Sequence, residues 1–202
     1  MNKNISIITL QGPQIVPFLK HLYSLRIEVL QEFPYLYAGN EDYEIQYSKH
    51  FSHSENSILV IARDNHVNKI IGAATAIPLE EADDEVRRPF LQKGYNLEDV
   101  FFYRESVILH GFRGKGLGKL FFVEREKAAL KQNPKLKYIT FWTVERTADH
   151  PARPRNYKSL SNLWHKQGFQ EFSQLRTQFS WPEVDKQNNA LNTMVFWIKN
   201  LH

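Results

Sequence analysis

The sequence predicts one α/β domain, 1–202, built on a mixed β-sheet of about seven strands flanked by about four helices. Three observations point there. Two β-branched runs, 57–62 and 70–78, flank a polar Asp-Asn turn and read as a hairpin. Residues 100–144 read as strand, glycine-rich turn, helix and strand. The full order, β-α-α-β-β-β-α-β-α-β-β, sets that unit among antiparallel hairpins. That requires a mixed sheet with helices on both faces.

Each element has its own signal. Ile5 to Leu10 is short and β-branched, a first strand. Pro17 suits a helix N-terminus, and Phe18, Leu19, Leu22, Tyr23, Arg26, Val29 and Leu30 follow at helical spacing. An aromatic-rich loop, Phe33 to Gly39, ends that helix, and Asp42 to His53 reads as a weaker second one. Glu80 to Leu97 is a connector whose acidic run, followed by Arg87 and Arg88, reads as a solvated face. Val100 to Leu109 is the fourth strand, Gly116 to Gln132 the main helix and Tyr138 to Val144 the fifth strand. The loop 146–155 holds Asp149, His150, Pro151, Arg153 and Pro154. A short helix is expected from about Tyr157 to Gln167, stopped by Gly168 at its C-cap. Phe169 to Phe179 and Thr193 to Ile198 supply closing strands. No repeat, linker or second domain is visible.

Composition excludes several classes. The 202 residues are 42% apolar and 24% charged, which suits a globular domain able to bury a full core. With no cysteine, disulfides, thiolate metal sites and cysteine catalysis are excluded. The eight histidines show no ligand spacing, so no metal is expected. No apolar run is long enough to cross a membrane, and Met1 to Thr9 lacks a signal-peptide core. A cytoplasmic protein is the expectation. The net charge of +4 is small and its Lys and Arg are scattered, which argues against a nucleic-acid module.

The chemistry centres on Glu105 to Leu130. An apolar run stops at His110 and Gly111, glycines then alternate at Gly114, Gly116 and Gly118, and a helical pattern starts at once. Glycine allows a sharp turn and close approach to bare backbone. The first N–H groups of a helix lack internal partners, and its dipole adds positive charge there. Together these make a site for a phosphate or pyrophosphate, which Lys115 and Lys119 would strengthen. A Walker A loop would need glycine at Arg113 and Ser or Thr at Leu120. A dinucleotide fingerprint would need its third glycine at Phe121 or Lys119.

What fits is Arg-x-x-Gly-x-Gly, Arg113 to Gly118, eight residues after Glu105. This resembles the acetyl-CoA loop of the GNAT superfamily of N-acetyltransferases, and the order of elements resembles that family along nearly the whole chain. Phe121-Phe122-x-x-Arg125-Glu126 and Asp149-His150-Pro151-x-Arg153-Pro154 look like an uncharacterised branch of it. The resemblance implies acetyl transfer from acetyl-CoA to an amine, by direct attack, in a cleft where the fourth and fifth strands splay. It implies that the backbone of Val107 and Ile108 holds the pantetheine. Arg113, Gly114, Lys115, Gly116, Leu117, Gly118 and Lys119 would then hold the pyrophosphate.

Acetyl transfer needs a neutral amine, and Glu105 sits where relatives carry a carboxylate base. Between apolar strand neighbours its pKa is expected to rise, unless it pairs with Arg104 or Arg125. Leu163-Trp164-His165-Lys166-Gln167-Gly168-Phe169 resembles the family's Leu-Tyr-x-x-x-Gly-Phe, with Trp164 in place of the tyrosine that protonates the CoA thiolate. An indole can donate a hydrogen bond but is no acid. That leaves Tyr157, His165 or water, with Asn156, beside Tyr157, and Trp164 as candidate cofactor-binding residues and Phe169 read as core packing. His150 is a candidate acceptor-side base. Phe33 to Tyr37 is expected to line the acceptor side, and an exposed C-terminal strand would allow a homodimer. The alternative to an enzyme is a catalytically lapsed acyl-CoA-binding module, motivated by Trp164.

Overall fold

The computed structural model describes residues 4–184 and 186–202. Its strands are β1 (Ile5–Gln11), β2 (Ile58–Asp64), β3 (Lys69–Pro78), β4 (Val100–Ile108), β5 (Tyr138–Val144), β6 (Gln170–Pro182) and β7 (Asn189–Asn200). They form one sheet in the order β1-β2-β3-β4-β5-β7-β6, antiparallel throughout except for the parallel pair β4 and β5. Ile58 to Ala62 of β2 are buried on both faces, as a central strand of continuous apolar character must be. The expected mixed seven-strand sheet is what forms.

The helices are α1 (Leu19–Leu30), α2 (Glu41–Tyr47), α3 (Lys49–His53), α4 (Asp84–Gln92), α5 (Leu117–Gln132) and α6 (Ser161–Lys166). α5 buries Leu117, Phe121, Phe122, Arg125, Ala128 and Ala129, a stripe at helical spacing laid against the sheet. Asn40 caps α2 by accepting from the Tyr43 N–H at 2.9 Å, and Glu41, Asp42 and Glu44 complement the helix dipole.

Four expectations need correction. The helix over 42–53 is interrupted at Ser48, whose hydroxyl donates to the Glu44 carbonyl at 2.6 Å and, its one proton so used, accepts from the Tyr23 hydroxyl at 2.7 Å. The acidic connector contains α4, because Val86, Pro89 and Phe90 form a buried face behind its charges. Residues 157–160 are not helical, so α6 begins at Ser161, where the Ser159 hydroxyl accepts the Ser161 N–H. Finally, the C-terminal strand β7 lies between β5 and β6, so it is no free edge; the sheet edges are β1 and β6.

Two irregularities shape the site. Ala74 pairs with Ser106 and Ala76 with Tyr103, so Thr75 faces both Arg104 and Glu105 across a β-bulge. The Thr75 and Glu105 carbonyls are taken up by Arg125, each at 3.1 Å from Nη1, while Nη2 donates to the Ser106 hydroxyl at 2.8 Å. Arg125 is almost fully buried with its guanidinium 4.0 Å from the Tyr103 ring centre. Desolvation lowers its pKa to about 10, still well above neutrality. The second irregularity is that β4 and β5 pair only from Val100–Tyr138 to Tyr103–Phe141. Beyond that point β5 continues its pairing with β7, and the strands part.

Candidate active site

The bulge explains which way Glu105 faces. An extra residue in a strand breaks the alternation of side chains. Arg104 and Glu105, though adjacent, both reach the α1–α2 side of the sheet. Glu105 meets Arg26 of α1, while Arg104 lies 4.5 Å from the Tyr47 ring centre and donates to the Tyr47 carbonyl at 3.3 Å.

Glu105 is held at both oxygens. Oε2 accepts from Arg26 Nη1 at 2.5 Å and Oε1 from the Thr75 hydroxyl at 2.5 Å. Arg26 Nε donates to Glu44 at 2.6 Å, and Tyr37 donates to the other Glu44 oxygen at 2.5 Å. The expected rise in the Glu105 pKa is overturned. Burial does push it upward, but Arg26, then Arg104, the Thr75 hydroxyl and Arg125 together hold it below the ordinary glutamate value. The partner is Arg26, from a helix far away in sequence. For Arg26 burial opposes the charge, yet Glu105, Tyr47 and Glu44 keep it well above its usual value.

This network floors a cleft whose walls are Tyr35, Tyr43, Tyr47, Trp142, Phe179 and Trp181. Tyr35 and Tyr37 line it, as expected of the 33–37 loop. The loop is fastened from several sides. Arg146, at the end of β5, donates to the carbonyls of Pro34 at 2.8 Å and Tyr35 at 3.3 Å and pairs with buried Glu183. The Trp181 indole donates to the Tyr35 carbonyl at 3.0 Å.

Phe33 points elsewhere, packing on His150 with centroids 5.6 Å apart and edge-on to Tyr157 at 4.7 Å. His150 Nδ1 accepts the Ala152 N–H at 3.2 Å, which leaves the proton on Nε2 in the neutral ring. Burial raises the Tyr157 pKa, and Arg153 beside its ring opposes the rise only in part. Asn156 is exposed in the same loop.

The glycine loop makes a left-handed turn into α5, and its arginine contacts the protein. Gly114 and Gly116 have φ of 73° and 83°, and Gly116 is the N-cap of α5. A Cβ at either position would meet no protein atom within 4 Å, so the left-handed turn faces open space. Gly118 differs, since its Cβ would lie 3.7 Å from Leu163, an ordinary contact. Leu117 is buried and Lys119 exposed. Lys115 turns back to the Gly111 carbonyl at 3.0 Å. Arg113 also turns back: Nε donates to the Ile108 carbonyl at 3.0 Å, and the guanidinium forks onto Glu32 at 2.6 and 3.1 Å. Arg113 therefore ties the loop to the end of α1.

Val107 and Ile108 pair on one side with Ala73 and Gly72 of β3, and no β5 residue pairs with them on the other. Trp164, partly buried, packs edge-on against the core, with ring centroids 5.2 Å from Phe141 and 4.9 Å from Trp197. Phe169 is buried beside it. Among the described residues no cluster of His, Asp and Glu has the form of a metal site, and no helix is long and apolar enough to cross a membrane.

Sequence reasoning missed Arg26, Glu44, Thr75 and Arg146. A signal existed for Arg26, a charged residue at an apolar position of the α1 stripe. Nothing in the sequence pointed to Arg146.

No family model matches the chain, and no curated protein sequence matches it. Solved structures match its fold over nearly its full length. One is a GCN5-related N-acetyltransferase from Kribbella flavida, at 13% identity, with 100% of each chain covered and a TM-score of 0.56. A second is the ribosomal-protein-S18-alanine N-acetyltransferase from Escherichia coli, at 12% identity, covering 98% of this chain and 94% of that one, with a TM-score of 0.58. A third is a putative acetyltransferase from Salmonella typhimurium solved with its cofactor acetyl-CoA, at 12% identity, 99% and 95% coverage and a TM-score of 0.57. The splayed β4–β5 pair, the glycine turn into α5 and the β1-β2-β3-β4-β5-β7-β6 sheet are thus the fold of the GNAT acetyltransferases.

Proposed function

We propose that the chain is an acetyl-CoA-dependent N-acetyltransferase acting on an amine acceptor by direct attack. One observation carries the reading: the free edge of β4 runs straight into a glycine turn whose positive-φ residues face open space at the N-terminus of α5. An extended chain can add to a free strand edge through backbone hydrogen bonds. A pyrophosphate suits the unpaired N–H groups and dipole at a helix start. An extended pantetheine arm leading to a pyrophosphate has both properties in that order. The match to the Salmonella protein solved with acetyl-CoA supports the same assignment.

Acetyl-CoA would supply an activated acetyl thioester. Val107 and Ile108 offer backbone to the pantetheine, with the Ile108 carbonyl already engaged by Arg113. Gly114 to Lys119 offer N–H groups to the pyrophosphate. Glu105 is the proposed group that attracts the ammonium and receives its proton, and it does so from the ionised state. Tyr157, kept protonated by its raised pKa, is the proposed donor to the thiolate, and His150 is the alternative acceptor-side base should Glu105 not take the proton. Trp164, packed between Phe141 and Trp197, serves structure.

A second reading is an acyl-CoA-binding module without turnover. The full engagement of both Glu105 oxygens favours it. Thermal shift with acetyl-CoA, CoA and NAD, followed by thiol release across an amine panel, tests both. A shift specific to the two CoA species with thiol release supports the enzyme. The shift without release from any amine supports the module, and no shift overturns both.

A further inference from the structure

Beneath the cleft two guanidinium groups and two carboxylates balance in number but are unevenly paired. Arg26 is shared by two carboxylates, Glu44 and Glu105. Arg104 is 9% exposed and lines the cleft, yet among the described residues no carboxylate lies within 4 Å of it. Its guanidinium donates to the Tyr47 backbone carbonyl and lies over the ring faces of Tyr47 and Phe51 at 4.5 and 5.2 Å; burial opposes its charge, while Tyr47 and, from farther off, Glu105 favour it. A buried guanidinium has five N–H donors and is costly unless an anion accepts from it. Ring faces repay part of that cost only. A planar fork of this kind matches a carboxylate in two-point geometry.

The bulge sets this cation beside the carboxylate of Glu105, on the same face and at the bottom of the same cleft. Around the pair stand Tyr35, Tyr43, Trp142, Phe179 and Trp181. The Tyr43 hydroxyl is committed to the Ser180 carbonyl, and the Trp181 indole to that of Tyr35, so both present apolar surface. The walls suit a flat or apolar body and the floor suits one positive and one negative group close together.

From this juxtaposition we infer that the acceptor is an amino-acid-like zwitterion with an apolar, most simply aromatic, side chain. Its carboxylate would sit on Arg104, its amine at Glu105 and its side chain against the aromatic walls. The inference rests on the acetyltransferase reading for the fate of the amine, and on Arg104 alone for the carboxylate. The nitrogen lone pair would form the new N–acetyl bond as the carbon–sulfur bond of the thioester breaks. One ammonium proton goes to Glu105 before attack, the sulfur leaves as thiolate and takes a proton from Tyr157 or water, and the second proton lost by nitrogen as the tetrahedral intermediate collapses restores that donor.

The test uses L-phenylalanine, phenylalaninamide and 2-phenylethylamine, which differ in the carboxylate while sharing the ring. Binding of each is measured by calorimetry, to the protein alone and with CoA present, and thiol release is measured with acetyl-CoA. Phenylalanine should bind at least tenfold more tightly than either neutralised analogue and give the highest kcat/KM. In Arg104→Gln that ratio should fall to near one, and in Arg104→Lys it should be partly kept. Equal or tighter binding of the amide or of phenylethylamine overturns the inference while leaving the enzyme reading intact. Phenylalanine bound with the stated preference but without CoA binding overturns the enzyme reading and upholds the zwitterion site. Failure of all three to bind overturns the site, whatever CoA does.

Discussion

Arg26 and Glu105, 79 residues apart, meet at 2.5 Å and join α1 to the bulge of β4. Neither side chain is more than a tenth exposed. The desolvation of such a pair consumes most of its Coulombic gain, so the intact pair adds little net stability. Losing one partner is different, because a bare charge is left in the interior.

Arg26→Met strips the partner from Glu105 and from Glu44 at once. Unfolding in urea should show a loss of about 3–5 kcal/mol, the range for breaking a buried ion pair. Combined with Glu105→Gln, part of that loss should return, with a coupling of about 1 kcal/mol or more in the double-mutant cycle. Strict additivity of the two substitutions would mean that the contact carries no energy.

The depressed Glu105 pKa fixes how stability should vary with acid. A carboxylate whose folded pKa lies below its unfolded value contributes in full above that unfolded value, about 4.3 for glutamate. The contribution disappears as pH falls through the folded value. Glu183, held down by Lys186 and Arg146 against its own burial, behaves likewise. The stability gap between wild type and Glu105→Gln should therefore narrow as pH falls from about 6 to about 3. A gap that widens over that range would require a raised pKa. In turnover, Glu105→Gln should cost roughly a hundred-fold if the carboxylate takes the proton, with acetyl-CoA affinity little changed.

Gly116→Ala isolates the loop. At φ 83° a Cβ costs about 1 kcal/mol, yet it meets no protein atom, so the domain should still unfold cooperatively. The methyl would enter the space assigned to the pyrophosphate. Calorimetric affinity for acetyl-CoA should fall at least tenfold. Wild-type affinity in this variant would move the phosphate site away from α5.

The sheet was legible because its signals are local: β-branched runs, glycine turns and a helix with a clear apolar stripe. α4 was hidden because its charges dominate the composition, whereas Val86 and Phe90, four apart, decide its packing. The glycine turn was legible too, since positive φ at Gly114 and Gly116 is a backbone demand written into residue type. The floor of the cleft was not. Glu105 was visible as an acidic residue in an apolar strand, but the sign of its pKa depends on Arg26, which only the folded chain brings near. The bulge that turns Arg104 and Glu105 to one face has no marker in either strand, both of which read as regular. Arg113 kept its place in the motif while its side chain went to Glu32, because an exposed arginine takes the nearest carboxylate that offers fork geometry.

Tyr157 and Trp164 divide the question of how the thiolate is protonated. The Trp164 ring lies against Phe141 and Trp197, so Trp164→Phe should lower stability by about 1–3 kcal/mol, as core truncations do, and leave a rate change of at most a few-fold. Tyr157 stands in the loop after β5, edge-on to Phe33, and burial keeps its hydroxyl protonated at neutral pH. Tyr157→Phe retains the ring and its contact with Phe33, so stability should change by less than about 1 kcal/mol. If the hydroxyl delivers the proton, kcat should fall about ten-fold or more while KM for acetyl-CoA moves little, since acid–base groups contribute at least that much. A CoA thiolate is also a competent leaving group, with a thiol pKa near 8.5, so solvent could serve in its place. An unchanged kcat in Tyr157→Phe would assign the proton to water. A rise in KM alone would make Tyr157 a binding contact. A fall in kcat that deepens as pH rises above about 8, where water supplies protons less readily, would secure the hydroxyl as the acid.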